Sequence, residues 1–248
     1  MRPENISVIL LVAGVGRRLN GAAEGPKVLL EFGERTLLDR HLEALRANGL
    51  EDVHLTVGYE SDQIRAELAR LGRTDVTLTE NPDYTLGSLV SFHVQNRLLR
   101  SGKTIILMDG DVLYPAEMIR RLLDSPQENV LLLDRNLEPG DEPVKICLKD
   151  DKIVDFRKKP VFDHDWHGES VGFFRFSPKM AAELADICAT YVREGRTREE
   201  YEEAIRDKIL VEPDRFAATD VSDIPWTEID FIEDVERARN QILPRLEA

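Results

Sequence analysis

Ile6 to Val12 is an unbroken apolar, β-rich run that stops at Ala13-Gly14-Val15-Gly16. A buried strand that enters a glycine loop restricts the chain to few architectures, chiefly a sheet covered on both faces with a ligand loop at its edge. Glycines at 14 and 16 let the backbone approach phosphate groups closely, with N–H groups facing them. Arg18 and Lys27, the latter after Pro26, add positive charge. Leu19 stands where a dinucleotide fingerprint needs glycine, and no GxxxxGK[ST] is present, so neither dinucleotide-binding nor P-loop chemistry is indicated.

Charge sharpens the reading. The 33 basic and 47 acidic residues leave a net charge of −14. Such a surface repels a nucleic-acid backbone. A phosphorylated small molecule must instead meet a few local cations or a metal ion.

Strand and helix alternate over the first 135 or so residues. Val53–Val57, Val76–Thr79, Lys103–Met108 and Val130–Leu133 read as strands. Helices are expected around Leu37–Leu45, Ile64–Leu71, Ser88–Arg100 and Met118–Leu123. This predicts a three-layer, Rossmann-like α/β fold with a mostly parallel sheet and sites at the strands' carboxyl ends. After Pro139-Gly140 the pattern changes to a hairpin, Lys145–Leu148 with Lys152–Phe156. A strand from Ser170 to Phe176, a helix opened by Ser177-Pro178, a charged helix over Arg198–Leu210, a short strand at Trp226–Ile229 and a terminal helix follow. The chain is expected to be one domain: a nucleotide-binding core over about 1–135, an acceptor lobe over about 136–225, and a C-terminal motif and helix over 226–248.

Cys147 and Cys188 form no CxxC pair and no zinc pattern, and are expected to be buried free thiols. No apolar run approaches a membrane span, and the N-terminus lacks signal-peptide features, so a cytoplasmic protein is expected.

The acidic residues suggest a metal site. Asp109-Gly110-Asp111 ends an apolar strand, and carboxylates at i and i+2 share one side of extended backbone. Mg²⁺ takes one or two carboxylates together with substrate phosphates. Trp226-Thr227-Glu228-Ile229-Asp230-Phe231 offers further acids. Asp230 also reads as a helix N-cap with Glu233 three residues on, and Glu228 as a surface acid.

The set A-G-x-G-x-R, Pro26-Lys27, Val57-Gly58-Tyr59, Asn81-Pro82-Asp83-Tyr84 and the aspartates at 109 and 111 resembles the GT-A-like nucleotidyltransferases over most of the chain. Val12 departs from the family's usual alanine. Gly87-Ser88, Glu142-Pro143-Val144-Lys145, Phe156-Arg157-Lys158-Lys159, Gly168 to Phe173 and the Trp-x-Glu-Ile-Asp-Phe end look like bacterial phosphocholine and 2-aminoethylphosphonate cytidylyltransferases. The resemblance implies that Ala13, Gly14, Gly16, Arg18, Lys27, Asn81, Gly87, Ser88 and Asp109 bind the nucleotide, with CTP as donor. It implies Asp111 and Asp230 as Mg²⁺ ligands, with Asp109 a third candidate, and Arg18, Lys27 and Lys145 as the charge-neutralising catalytic set. Lys145 and Lys158 or Lys159 are candidates for the acceptor phosphate. Glu169, Tyr201, Glu202 and Trp226, with Trp166 and Phe173 near by, are candidates for an acidic, aromatic box around a cationic headgroup. Sugar-1-phosphate and inositol-phosphate transferases share much of this layout. A glycosyltransferase and a non-catalytic nucleotide sensor are further rivals, and a homodimer is allowed.

Overall fold

The computed structural model describes residues 3–16, 25–137 and 143–247. Strand β1 (Ile6–Leu11) is the apolar run before the glycine loop. A small hairpin, β2 (Glu31–Phe32) and β3 (Arg35–Thr36), leads into helix α1 (Leu37–Ala47), which Thr36 caps by accepting from the Asp39 N–H. Then come β4 (Val53–Val57), α2 (Ser61–Arg70), β5 (Thr77–Glu80), α3 (Ser88–His93) and α4 (Asn96–Leu99). β6 (Thr104–Asp109), β7 (Val112–Leu113), α5 (Glu117–Asp124) and β8 (Val130–Asp134) complete the first half.

The second half opens with the expected hairpin, β9 (Lys145–Lys149) and β10 (Lys152–Arg157). Asp150 and Asp151 turn it with positive φ. β11 (Trp166–Phe176) and α6 (Pro178–Arg193), N-capped by Ser177, follow. α7 (Tyr201–Val211), β12 (Ala217–Asp220), β13 (Thr227–Glu228), α8 (Ile232–Arg237), a π-helical turn and α9 (Leu243–Leu246) finish the chain.

The principal sheet runs β10-β9-β11-β6-β1-β4-β5, with β8 and β12 joined to it through β11. The block β6-β1-β4-β5 is parallel. β11 is antiparallel to both β6 and β8, so β8 runs in the direction of β6 with one antiparallel strand between them. The hairpin strands are therefore hydrogen-bonded into the same sheet as the glycine-loop strand.

Period-two alternation sends successive β1 residues to opposite faces. Val8 and Leu10 join one core with α1, α2, α5 and α8, whereas Ile9 joins a second with α3, α6 and α7. These two cores and the sheet give the expected three layers.

The helix expected over Ser88–Arg100 is two helices. The break lies at Val94-Gln95, where the buried Gln95 amide donates to Thr56 Oγ1 at 2.9 Å. Among the described residues, no helix is long and apolar enough to cross a membrane.

Candidate active site

The carboxyl ends of β1 and β6 lie side by side, with Leu11 in register with Asp109. Leaving β1, the loop is pinned to β4: the Val12 N–H donates to Thr56 O, and the Tyr59 N–H to Ala13 O. Gly16 takes φ +63°, and a Cβ there would lie 2.8 Å from Lys27 Cγ. Glycine is required twice at this point, by the left-handed backbone and by the lysine stem crossing it. Val12, unusual in the resembling family, is accommodated by Gly110, where any Cβ would collide with the valine. Arg18 lies outside the described residues.

Ala13, Gly14, Gly16, Lys27, Ser88, Asp109, Asp111, Lys158, Tyr201, Glu228 and Asp230 all line one cavity of about 550 Å³. β13 pairs antiparallel with β7, placing Glu228 opposite Val112, and the Ile229 N–H donates to Asp111 O. That short ladder brings two carboxylates 117 or more residues away to Asp111. One oxygen each from Asp111, Glu228 and Asp230 lie within 4.8 Å of one another. Lys27 Nζ stands among them, 2.9 Å from Asp111 Oδ2 and 2.6 Å from Asp230 Oδ1. Burial works against the Lys27 ammonium, but the two aspartates outweigh it and hold the pKa above the ordinary lysine value.

The acids divide into two groups. Asp109 accepts from the Tyr201 hydroxyl at 2.6 Å. Burial, then the charges of Glu202 and Asp111, push its carboxyl well above the usual range. Its neighbour across β11 is Gly172, where a Cβ would collide with Asp109 Oδ2. Asp109 thus sits beside the three-acid group and outside it. Glu228, for which the sequence offered a surface role, belongs to the group. Burial first, then Asp111 and Asp230, raise its pKa well above the ordinary value. Asp230 is not the N-cap: that position is Phe231, and Asp234 at the third helical position reaches back to accept from the N–H groups of Asp230 and Phe231 at 2.9 and 2.7 Å.

The segment after β5 places its residues differently from expectation. Asn81 is buried; its amide donates to Ser91 Oγ at 2.9 Å and its carbonyl accepts from the Asp83 N–H. Its side chain braces this turn and does not line the cavity. Gly87 is likewise a packing position, since a Cβ would collide with the Arg198–Glu199 backbone. The cavity wall here is Tyr84, Thr85, Leu86, Ser88 and Ser91. Ser88 also anchors α7, its hydroxyl accepting from the Tyr201 N–H at 3.0 Å.

A second cavity of about 410 Å³ adjoins the first and shares Glu228 and Asp230 with it. Glu169 and Trp226 line it, together with Asp134, Asp234 and Arg237. Trp226 Nε1 donates to Asp134 Oδ2 at 2.7 Å. Burial, then the Asp134 charge, push the Glu169 carboxyl up to about 7 against the opposing pull of Lys145. The expected aromatic box is not assembled as one unit. Tyr201 and Glu202 face the first cavity, while Phe173 is fully buried in the core against Tyr114. The Trp166 ring carries the Arg135 guanidinium at 4.1 Å. Lys145 is nearly buried and donates to the carbonyls of Lys158 and Pro143 at 3.0 and 3.3 Å, outside both linings.

Sequence reasoning missed Asp134, Asp234 and Arg237: Asp134 closes an apolar strand with no second acid two residues on, and Asp234 and Arg237 sit in a charged helix, Ile-Glu-Asp-Val-Glu-Arg, that reads as a solvated face. The i, i+2 spacing of Glu228 and Asp230 repeats that of Asp109 and Asp111, and was the available signal for Glu228.

The chain is 27% identical to the bifunctional IPC transferase and DIPP synthase of Rubrobacter xylanophilus, over 97% of its own length and 52% of that protein's. It is 21% identical to the CTP:phosphoglutamine cytidylyltransferase of Campylobacter jejuni, covering 93% of this chain and 98% of the relative. Against the CMP-5'-(3-aminopropyl)phosphonate synthase of Streptomyces rubellomurinus it is 24% identical, over 96% of this chain and 39% of the other. It therefore spans about half or less of two of these relatives. Among solved structures, the CTP:phosphocholine cytidylyltransferase of Streptococcus pneumoniae superposes with TM-score 0.77 at 18% identity, over 94% of this chain and 97% of the other. The inositol-1-phosphate CTP transferase of T. maritima gives 0.78 at 19%, over 97% and 96%. Residues 8–155 match the MobA-like NTP transferase domain, and the chain belongs to that nucleotidyltransferase family.

Proposed function

We propose that this chain is a Mg²⁺-dependent cytidylyltransferase that moves CMP from CTP onto a small phosphorylated or phosphonate alcohol and releases pyrophosphate. The observation that carries the proposal is the meeting of Asp111, Glu228, Asp230 and Lys27 on a cavity walled by the glycine loop. Cytidylyl transfer specifically is supported by relatives whose names specify CTP or CMP.

Three hard carboxylate oxygens suit Mg²⁺, and the Lys27 ammonium among them marks the place as one of strong negative potential. Asp111 and Asp230, with Glu228 beside them, would hold the ion, which would supply neutralisation of phosphate charge. The chain's own residues do the rest. The Ala13–Gly16 backbone cradles the triphosphate and Lys27 neutralises it. Lys158 meets the acceptor phosphate, and Lys145 props the backbone at Lys158 by its hydrogen bond to that carbonyl. An acceptor oxygen, already ionised at neutral pH, bonds to the α-phosphorus as the bond to pyrophosphate breaks. No general base is required, so positioning and charge carry the rate.

The second cavity, with Glu169, Asp134 and Trp226, supports a cationic headgroup on the acceptor. Its asparagine and serine, Asn136 and Ser222, also suit a polyol such as an inositol phosphate. The test is pyrophosphate release with CTP, UTP, dTTP and ATP against phosphocholine, phosphoethanolamine, 2-aminoethylphosphonate, inositol phosphate and hexose-1-phosphates. CTP with an amino-alcohol acceptor is expected to be used best. Turnover of UTP or dTTP with glucose-1-phosphate, and none of CTP with any amino-alcohol acceptor, rejects the proposal.

A further inference from the structure

Away from both cavities, the sulfur of Cys147 and one ring nitrogen each of His164 and His167 lie within 4.8 Å of one another. The sequence spacing matches no common zinc motif; strand register creates the cluster. His167 on β11 is directly opposite Cys147 on β9. The loop preceding β11 folds His164 back, with its Nε2 2.9 Å from His167 Nδ1.

The hydrogen bonds fix the tautomers. His164 Nδ1 is 2.9 Å from Phe162 O, and a carbonyl only accepts, so Nδ1 carries the proton. In neutral His164, Nε2 then keeps its lone pair and accepts from His167 Nδ1. A histidine whose outer nitrogen is held by a backbone carbonyl, with the inner one offered to a cluster, is the arrangement metal-ligating histidines use.

We propose that Cys147, His164 and His167 form a binding site for a soft divalent transition metal of the Zn²⁺ class, separate from the carboxylate group. One thiolate and two imidazoles suit Zn²⁺ and not Mg²⁺. Tetrahedral coordination needs nitrogens about 3.3 Å apart, so the histidine pair opens by only a few tenths of an ångström. On binding, the thiol proton leaves to solvent, and the His167 proton leaves Nδ1 for Nε2. Without metal, burial and then Asp155 push the Cys147 thiol up to about 12, so the cysteine is protonated and inert. Asp155 does not complete the set: its oxygens accept from Arg206 and from the N–H groups of Phe156, Val161 and Phe162. The fourth position is left to water. A bound ion would tie β9, the His164 loop and the start of β11 together.

The experiment titrates Co²⁺ into the chelator-stripped full chain with Mg²⁺ in excess to occupy the carboxylates. A sulfur-to-cobalt charge-transfer absorption saturating near one equivalent is expected. It should vanish in C147S and persist in C188S, whose thiol is buried in α6. H167Q, a second variant that keeps the thiol, should weaken Co²⁺ binding by about 100-fold. Zn²⁺ should displace the absorption and raise the wild-type Tm, and not that of H167Q. Absence of the absorption in the wild type, its survival in C147S, or unchanged affinity in H167Q overturns the proposal.

Discussion

The two adjoining cavities share Glu228 and Asp230 yet handle negative charge in different ways. In the first, Lys27 lies within 2.9 Å of both Asp111 and Asp230, so the acids have a fixed cation among them. In the second, Glu169 lies near Asp134, and its pKa is pushed up to about 7. The first arrangement holds a fixed cation against Asp111 and Asp230, and on the proposed function Lys27 would turn to phosphate once Mg²⁺ takes the acids. In the second, burial beside Asp134 favours the protonated form of the Glu169 carboxyl over its ordinary range. On the proposed function, the contrast would put charge neutralisation of the nucleotide in one chamber and choice of acceptor in the other.

The largest effect should come from the acidic group beside Lys27. Asp111→Ala and Asp230→Ala are each expected to abolish turnover while circular dichroism stays native. Near wild-type rates in Mg²⁺ from either would end the distinction between the chambers. Next, Lys27→Ala should lower kcat/KM by on the order of 10²-fold. Its Tm should also fall in chelator, where three acids are left without their cation, and recover with Mg²⁺. Normal kinetics with lowered Tm would make Lys27 purely structural.

Glu169→Gln should raise KM for an amino or choline acceptor several-fold and leave KM for CTP almost unchanged; equal changes would merge the two chambers. The same variant carries a pH signature. A carboxyl whose folded pKa is raised binds protons more tightly folded than unfolded, so its contribution to stability falls as pH rises from its ordinary value towards 7. Glu169→Gln should therefore gain on the wild type across that window, by up to about 1.4 kcal/mol per pH unit, as read by urea unfolding at pH 5 and pH 8. Trp226→Phe touches stability alone: it leaves the buried Asp134 oxygen without its donor and should cost about 1–3 kcal/mol in urea unfolding.

The parallel half was legible because β1 and β6 are apolar runs bounded by turns, and β4 and β5 are short β-branched segments between helical patterns. Val53–Val57 has the expected limits, and β1 and β6 differ by a residue. The misses have local causes. Trp166-His167-Gly168-Glu169 is strand by virtue of pairing with β9, and its composition hides that. β12, Ala-Ala-Thr-Asp, has little β preference and exists through its partner β8. The aromatic box failed on facing. Gly172, at φ +77°, lies in a register shift on β11, and Phe173 beyond it points to the core. The glycine loop, Lys27 and the Asp109–Asp111 segment were visible as motifs. The convergence of Glu228 on Asp111 required a two-residue ladder that no periodicity announces.

The position of β11 has a consequence for how the protein is made. It hydrogen-bonds to β6, β8 and β9, strands that precede it in the chain. During synthesis the parallel block can assemble as soon as β6 emerges, but one edge of β6 then remains open until residues 173–176 appear. Open edges recruit other strands, and long-range pairings close slowly. The nascent chain thus passes through an interval in which Thr104–Asp109 is exposed to misassociation. Ribosome pausing within residues 110–172 would lengthen that interval, so aggregation during expression should depend on translation speed there more than after residue 176.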